Sequence, residues 1–171
     1  MRDGHLPVDG GDIYYRIDGP DDDGSGDGPG ETIVWMHGLP LNGSAWYAQV
    51  DHFRGRFRNV TFDLRGYGRS SKLPADAGSV TDLYVSDLRK LFAHLALQQP
   101  VLVAHASGAH GALRFAADEA GPASVHGLTS LAVSYNSFAA AMCKARGSCE
   151  GKNGPLRILE TVNKWRSCIR D

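Results

Sequence analysis

Short apolar runs alternate along this chain with segments in which apolar residues recur at helical spacing. The runs, typical of strands buried on both faces of a sheet, occupy residues 32–36, 60–62 and 101–104, and a last strand is predicted near 125–133. The helical segments cover residues 45–50, a stretch from an N-cap at Thr81 to about residue 97, and an alanine-rich stretch from about 108 to 120. Strands that alternate with helices imply right-handed crossovers and a mostly parallel sheet. The pattern therefore predicts an α/β domain.

Three regions fall outside this alternation. Residues 5–19 read as two short strands around a turn of Asp and Gly, which predicts a hairpin. Residues 20–30 carry no apolar side chain, so a flexible loop is expected there. Residues 136–171 hold seven Lys or Arg against three Asp or Glu, with either one amphipathic helix or an incidental apolar pattern. The predicted organisation is a domain over 1–135 followed by an atypical basic tail over 136–171.

Composition narrows the class of protein. The chain has 171 residues, of which 42% are hydrophobic and 22% charged, as in an ordinary globular domain. A net charge of −1 gives no basic field for nucleic acid, and no apolar run is long enough to span a membrane. The odd number of cysteines, Cys143, Cys149 and Cys168, argues against a disulfide framework. We expect a cytoplasmic protein that binds neither nucleic acid nor membrane.

The segments that hold the candidate functional residues each follow directly on a predicted strand. They are residues 37–40, 63–71 and 105–108. Ligands of parallel sheets bind at the carboxyl ends of the strands, so these segments are expected to converge on one rim. The chain has no Cys-x-x-Cys or His-x-x-x-His pattern and no glycine loop of phosphate-binding spacing. No metal and no cofactor are therefore expected at this rim.

Four motifs in this order resemble the α/β-hydrolase superfamily. They are an opening hairpin at 12–15, a strand with a His-Gly-x-Pro loop at 33–40, an Asp-x-Arg-Gly-x-Gly-x-Ser loop at 63–70, and a strand with a sharp turn at 101–109. The resemblance covers about residues 5–133. It implies a three-layer α/β-hydrolase core with a mostly parallel sheet, truncated after the strand near 125–133.

The resemblance also assigns roles around the sharp turn, which corresponds to the family's nucleophile elbow. The nucleophile position falls on Ala106, and the oxyanion-binding N–H groups would belong to Leu39 and Ser107. The surrounding rim would comprise His37, Gly38, Asp63 and His105. Intact members with this site would cleave a small ester, amide, epoxide or halide substrate.

This chain departs from the family pattern at the residues that perform the reaction. A methyl group at Ala106 cannot attack a carbonyl, and the aspartate nucleophile of epoxide and haloalkane hydrolases is missing there too. Ser107 is a weak alternative nucleophile, one position late, or the N-cap of the following helix. Asp63 is either a rim acid or a loop brace paired with Arg65. The last histidine is His126, so no triad histidine follows the elbow in the family's usual place.

These departures leave open whether the chain is an enzyme. The first hypothesis is a hydrolase by descent, weak or inactive in this form. The alternative is a non-catalytic pseudoenzyme or fragment that binds a small molecule or a protein partner at the rim. A cofactor-independent oxygenase on the same fold ranks last, because it also needs the downstream histidine.

Overall fold

One six-stranded sheet organises the structure. The computed structural model describes residues 1–20 and 31–118, together with the backbone of 127–131. The strands are β1 (Arg2–Val8), β2 (Gly11–Asp18), β3 (Thr32–Met36), β4 (Arg58–Phe62), β5 (Val101–His105) and β6 (Gly127–Leu131). The helices are α1 (Tyr47–Phe53), which follows a 3₁₀ turn over Gly43–Trp46, α2 (Val80–His94) and α3 (Gly108–Asp118).

The strand order explains where a site can form. Across the sheet the order is β1-β2-β4-β3-β5-β6. The β1–β2 and β2–β4 pairs are antiparallel, whereas β3 runs parallel to both β4 and β5, and β5 runs parallel to β6. The chain leaves β3 for β4 on one side and then returns past β3 to β5 on the other. In sheets of this kind, ligands bind where the direction reverses, which here is at the carboxyl ends of β3 and β5.

Alternating side chains of the central strand show that the sheet has a helical layer on each face. Ile33 and Trp35 of β3 pack in a cluster with Trp46 and Val50, on the side of α1. The intervening residues of β3 pack on the opposite face, in the cluster that includes apolar residues of α2 and α3. The predicted three-layer α/β architecture with a mostly parallel sheet is confirmed. Within the described ranges, no helix combines the length and apolar character needed to cross a bilayer.

The ends of α2 differ from the sequence prediction. The N-cap is Ser79, not Thr81, because the Ser79 hydroxyl accepts a hydrogen bond from Asp82 N–H at 3.2 Å. The helix ends at His94, and Ala96 then adopts a left-handed φ of 48°. The Ala96 N–H donates to Ala93 O and the Leu97 N–H to Phe92 O, which is the Schellman pattern of a helix C-terminus. Glycine usually occupies the left-handed position after a helix C-terminus. Because alanine occupies it here, no signal in the sequence indicated that the helix ends at His94.

The remaining elements follow the predicted boundaries closely. The hairpin is β1 and β2, longer than the predicted runs, and β3 has the predicted bounds. The strand predicted near 125–133 is β6. Most of the predicted flexible loop, residues 21–30, and the whole predicted basic tail, 136–171, lie outside the described residues.

Candidate functional site

The loops that follow β3 and β5 touch each other at the carboxyl end of the sheet. Parallel pairing sets Met36 of β3 opposite Ala104 of β5, so the two strands end at the same level. A Cβ atom on Gly38 would lie 2.7 Å from the His105 carbonyl oxygen and 2.9 Å from the Ala106 methyl carbon. A Cβ atom on Gly108 would collide with the His37 carbonyl oxygen. Glycine at both positions allows the two loops to approach backbone to backbone.

The turn between β5 and α3 has a left-handed residue at its tip. Ala106 has a φ of +47°, directly after β5 and two residues before the helix begins. For an L-residue other than glycine this conformation costs roughly 1–2 kcal/mol. A strand, one left-handed residue and a helix are the geometry of a nucleophile elbow, and here the side chain at its tip is a methyl group.

The side chain after the elbow tip reaches across to the neighbouring loop. The Leu39 N–H donates a hydrogen bond of 2.9 Å to the Ser107 hydroxyl oxygen. The donors that an N-cap at Ser107 would use, the N–H groups of Ala109 and His110, bond instead to the carbonyl oxygens of Ala106 and Ser107. The prediction of Ser107 as a helix cap is therefore wrong. The two residues assigned to the oxyanion hole are joined directly, through the Ser107 side chain.

His37 is fully buried beneath this rim and holds two loops together. Its Nε2 atom accepts a hydrogen bond from Leu64 N–H at 2.9 Å, and Nδ1 lies 3.1 Å from the Gly38 carbonyl oxygen. The Nε2 atom accepts, so the proton of the neutral ring is on Nδ1. Burial lowers the His37 pKa below its ordinary value, against the opposing effects of the Gly38 carbonyl and the Asp63 charge. A neutral His37 braces the loop after β3 against the loop after β4.

Asp63 is a buried brace as well, but it is not paired with Arg65. Its two carboxylate oxygens accept hydrogen bonds from Gly43 N–H at 2.6 Å and Arg69 N–H at 2.8 Å. Arg65 instead forms two hydrogen bonds to Asp87 of α2, at 2.8 and 2.7 Å. The predicted Asp63–Arg65 ion pair is wrong. Sequence reasoning missed Asp87, although an acidic residue on the apolar face of an amphipathic helix was a visible signal.

Two cavities adjoin the loops at this end of the sheet. One, of about 260 Å³, is lined by His37, Leu41, Ala45, Trp46, Gln49 and His105. In it the His105 ring stands edge-on to the Trp46 ring, with 6.4 Å between their centres. The other, of about 440 Å³, is lined by charged residues that include Arg16, Asp18, Asp63 and Arg69, and none of the elbow residues contributes to it. Of these two cavities the smaller one therefore reaches the elbow, through His105, and its lining is more apolar than that of the larger one.

Two further titratable side chains near the rim, Asp63 and His110, do not line the smaller cavity. His110 is exposed on α3. Asp63 lines the larger cavity and not the smaller one. Among the residues that the structure describes, no cluster of His, Cys, Asp or Glu is suited to hold a metal ion.

The comparison with protein families agrees with this geometry. A family model described as alpha/beta hydrolase fold matches residues 31–143, which is more than half of the chain. The chain belongs to the α/β-hydrolase fold family. The matched region of this α/β-hydrolase chain contains the loop after β3, the loop after β4 and the elbow.

Relatives of this α/β-hydrolase chain include proteins named for different reactions. A putative non-heme chloroperoxidase of Synechocystis sp. is 38% identical over 105 residues, covering 61% of this chain and 34% of that protein. A non-heme chloroperoxidase of Burkholderia pyrrocinia is 29% identical over 154 residues, covering 90% and 50% respectively. The structure of an epoxide hydrolase from Bacillus megaterium with an inhibitor matches with a TM-score of 0.63 and 29% identity, over 74% of this chain and 41% of that one. The chain thus spans half or less of each of these proteins.

Proposed function

We propose that this α/β-hydrolase chain binds a small, largely apolar carbonyl or carboxylate compound at the elbow, without forming a covalent bond to it. The observation that supports this is the methyl group of Ala106 at the left-handed tip of the turn. Covalent catalysis at an elbow needs a hydroxyl, thiol or carboxylate at that position. Hydrolysis of an ester, amide, epoxide or halide through the elbow is therefore expected to be absent or feeble.

The surroundings of the tip favour this class of ligand. The Ser107 N–H lies at the beginning of α3, and the positive end of a helix dipole favours a partly negative oxygen. The adjoining cavity of about 260 Å³ is lined by Leu41, Ala45 and Trp46, together with two histidine rings and the amide of Gln49. A volume below that of most drug-sized pockets suits a ligand with one ring or a short alkyl group.

Ser107 is the alternative nucleophile to the residue at position 106, because its hydroxyl lies at the same rim. Among residues 31–118, Leu39 N–H donates a hydrogen bond to the Ser107 hydroxyl oxygen, and no histidine is hydrogen-bonded to that hydroxyl. A serine hydroxyl without a general base stays protonated and weakly nucleophilic. Its oxygen also lies where the carbonyl oxygen of a substrate would need to be, since both require the Leu39 N–H. These contacts argue against hydrolysis by Ser107.

Hydrolysis of p-nitrophenyl acetate and labelling by a fluorophosphonate, read by intact mass, test the proposal. The chain is compared with its Ser107→Ala and Ala106→Ser variants, and binding of phenylacetate is followed in parallel by NMR. We expect binding of phenylacetate, no adduct on the unaltered chain, and the same low hydrolysis rate in the Ser107→Ala variant. An adduct that disappears with Ser107→Ala would make Ser107 a nucleophile. Hydrolysis well above background that survives Ser107→Ala would contradict a binding function.

A further inference from the structure

We propose that the Ser107 hydroxyl occupies the oxyanion position of this site and competes with a bound ligand for the Leu39 N–H. Ser107 would then be the residue that decides how strongly the site accepts a carboxylate. The inference rests on the proposed ligand-binding function and adds to it a side chain that limits ligand affinity.

The competition follows from the geometry of a single donor. The Leu39 N–H is bonded at 2.9 Å to the Ser107 hydroxyl oxygen, which is an ordinary full-strength distance. An oxyanion hole holds its ligand oxygen at about 2.7–3.1 Å from the same kind of donor. One N–H cannot hold two oxygens at that distance and with good alignment. A ligand oxygen must therefore displace the serine oxygen or bind without the Leu39 donor.

The serine oxygen and a ligand oxygen cannot both accept the Leu39 N–H. The Ser107 oxygen already accepts it, so only the hydroxyl proton is left to bind a carboxylate, and a ligand held that way goes without the Leu39 donor. Turning the Ser107 side chain away breaks its own hydrogen bond before the ligand gains one. Removal of the hydroxyl is therefore expected to tighten the binding of a carboxylate.

Other contacts already hold the two loops together, so the Ser107 bond is not needed as a clamp. The close backbone approach at Gly38 and Gly108 fixes the spacing between the loop after β3 and the turn after β5. Separately, His37 holds the loop after β3 to the loop after β4 through its bond to Leu64 N–H. Removing a single hydroxyl at residue 107 leaves these contacts in place. Ser71 offers a matched control, because its hydroxyl accepts a hydrogen bond from Asp12 N–H at 3.0 Å, away from the elbow.

The experiment compares the full chain with its Ser107→Ala and Ser71→Ala variants, all labelled with nitrogen-15. Hydrogen exchange of the Leu39 amide is measured in the free proteins, and phenylacetate is then titrated into each. In Ser107→Ala we expect faster exchange of the Leu39 amide and about tenfold tighter binding, equivalent to about 1.4 kcal/mol. The Leu39 amide signal should move further on binding in Ser107→Ala than in the unaltered chain. Ser71→Ala should behave as the unaltered chain does, and Ser107→Gly should repeat the result of Ser107→Ala.

The outcomes separate the two proposals. Unchanged exchange of the Leu39 amide in Ser107→Ala would overturn the assignment of the hydroxyl as its partner. Equal affinity of the unaltered chain and Ser107→Ala for phenylacetate would overturn the competition alone. Faster exchange without any binding of phenylacetate to either protein would overturn the proposed function, and the ligand competition with it.

Discussion

Arg65 and Asp87 form a two-point ion pair in which both side chains are almost completely excluded from solvent. Their side chains are 0% and 2% exposed, and the pair fastens the loop after β4 to the middle of α2. Arg65 also donates to the carbonyl oxygen of Asp9, at the turn between β1 and β2. One guanidinium group thus joins the hairpin, a loop of the rim and the helical layer.

Removing one partner of this pair should destabilise the fold strongly. Asp87→Ala leaves the Arg65 charge buried without its counter-ion, which typically costs about 3–5 kcal/mol. We expect a loss of that size in the free energy of unfolding, measured by urea denaturation. The exposed pair of Arg54 and Asp51 is the control, and Asp51→Ala should change stability by less than about 1 kcal/mol. A loss for Asp87→Ala no larger than the control's would contradict the structural role of the buried pair.

His37 should make stability depend on pH in the mildly acidic range. Its pKa in the folded state lies below the ordinary value of 6.5, chiefly because burial disfavours the charged ring. The unfolded chain therefore binds the proton first, and stability is complete above about pH 6.5 and lost as the pH falls from there towards the folded-state pKa. One such group contributes a slope of at most about 1.4 kcal/mol per pH unit.

Chemical denaturation at pH 7.5 and pH 5.5 measures this effect. We expect the unaltered chain to lose more stability between the two conditions than a His37→Asn variant does. Asp12 also has a lowered pKa, through hydrogen bonds from His5 and Ser71, but its contribution is lost only below its ordinary value of 3.8. Equal losses for the chain and the variant would show that His37 does not remain neutral in the folded state.

The comparison of sequence with structure separates two kinds of information. Hydrophobic spacing predicted the strands and the helices, because residues that face the core recur with the period of their element. The alternation of strands and helices then predicted that the three loops converge at one end of the sheet. The hydrogen-bond and ion-pair partners of polar side chains could not be predicted in the same way. Asp63 and Arg65 are two residues apart, yet they point to different partners, Asp63 to backbone donors and Arg65 to Asp87. Contacts between distant segments depend on the assembled sheet, so local sequence could not rank them.

The elbow is a second place where the sequence could not predict a contact between distant segments. The motif located Ala106 and Ser107, but the hydrogen bond between Ser107 and Leu39 joins residues that are 68 positions apart. No sequence rule specifies which way that serine side chain turns. The residue that limits access to the oxyanion position could therefore be identified only once the two loops were seen together.

Ala106 should respond to substitution as a strained residue does. Its φ of +47° disfavours alanine and suits glycine, so Ala106→Gly should leave stability unchanged or raise it by up to about 1 kcal/mol. The control is Ala116→Gly within α3, where glycine in a regular helix should cost about 1 kcal/mol. Thermal unfolding of both variants gives the comparison. If Ala106→Gly were as destabilising as Ala116→Gly, the left-handed elbow would not be the conformation in solution.

Gly68 and Gly78 share a left-handed backbone but differ in the space around them. Their φ values are +55° and +60°, so alanine is strained at both by about 1 kcal/mol. A Cβ atom on Gly78 would meet nothing within 4 Å, whereas one on Gly68 would collide with the Asp63 carboxylate. That carboxylate holds the N–H groups of Gly43 and Arg69, so the collision would also break these hydrogen bonds. We expect Gly68→Ala to cost at least about 2 kcal/mol more than Gly78→Ala in urea unfolding. Equal costs would show that Asp63 can move aside, and that it does not brace the loop after β4 as its contacts indicate.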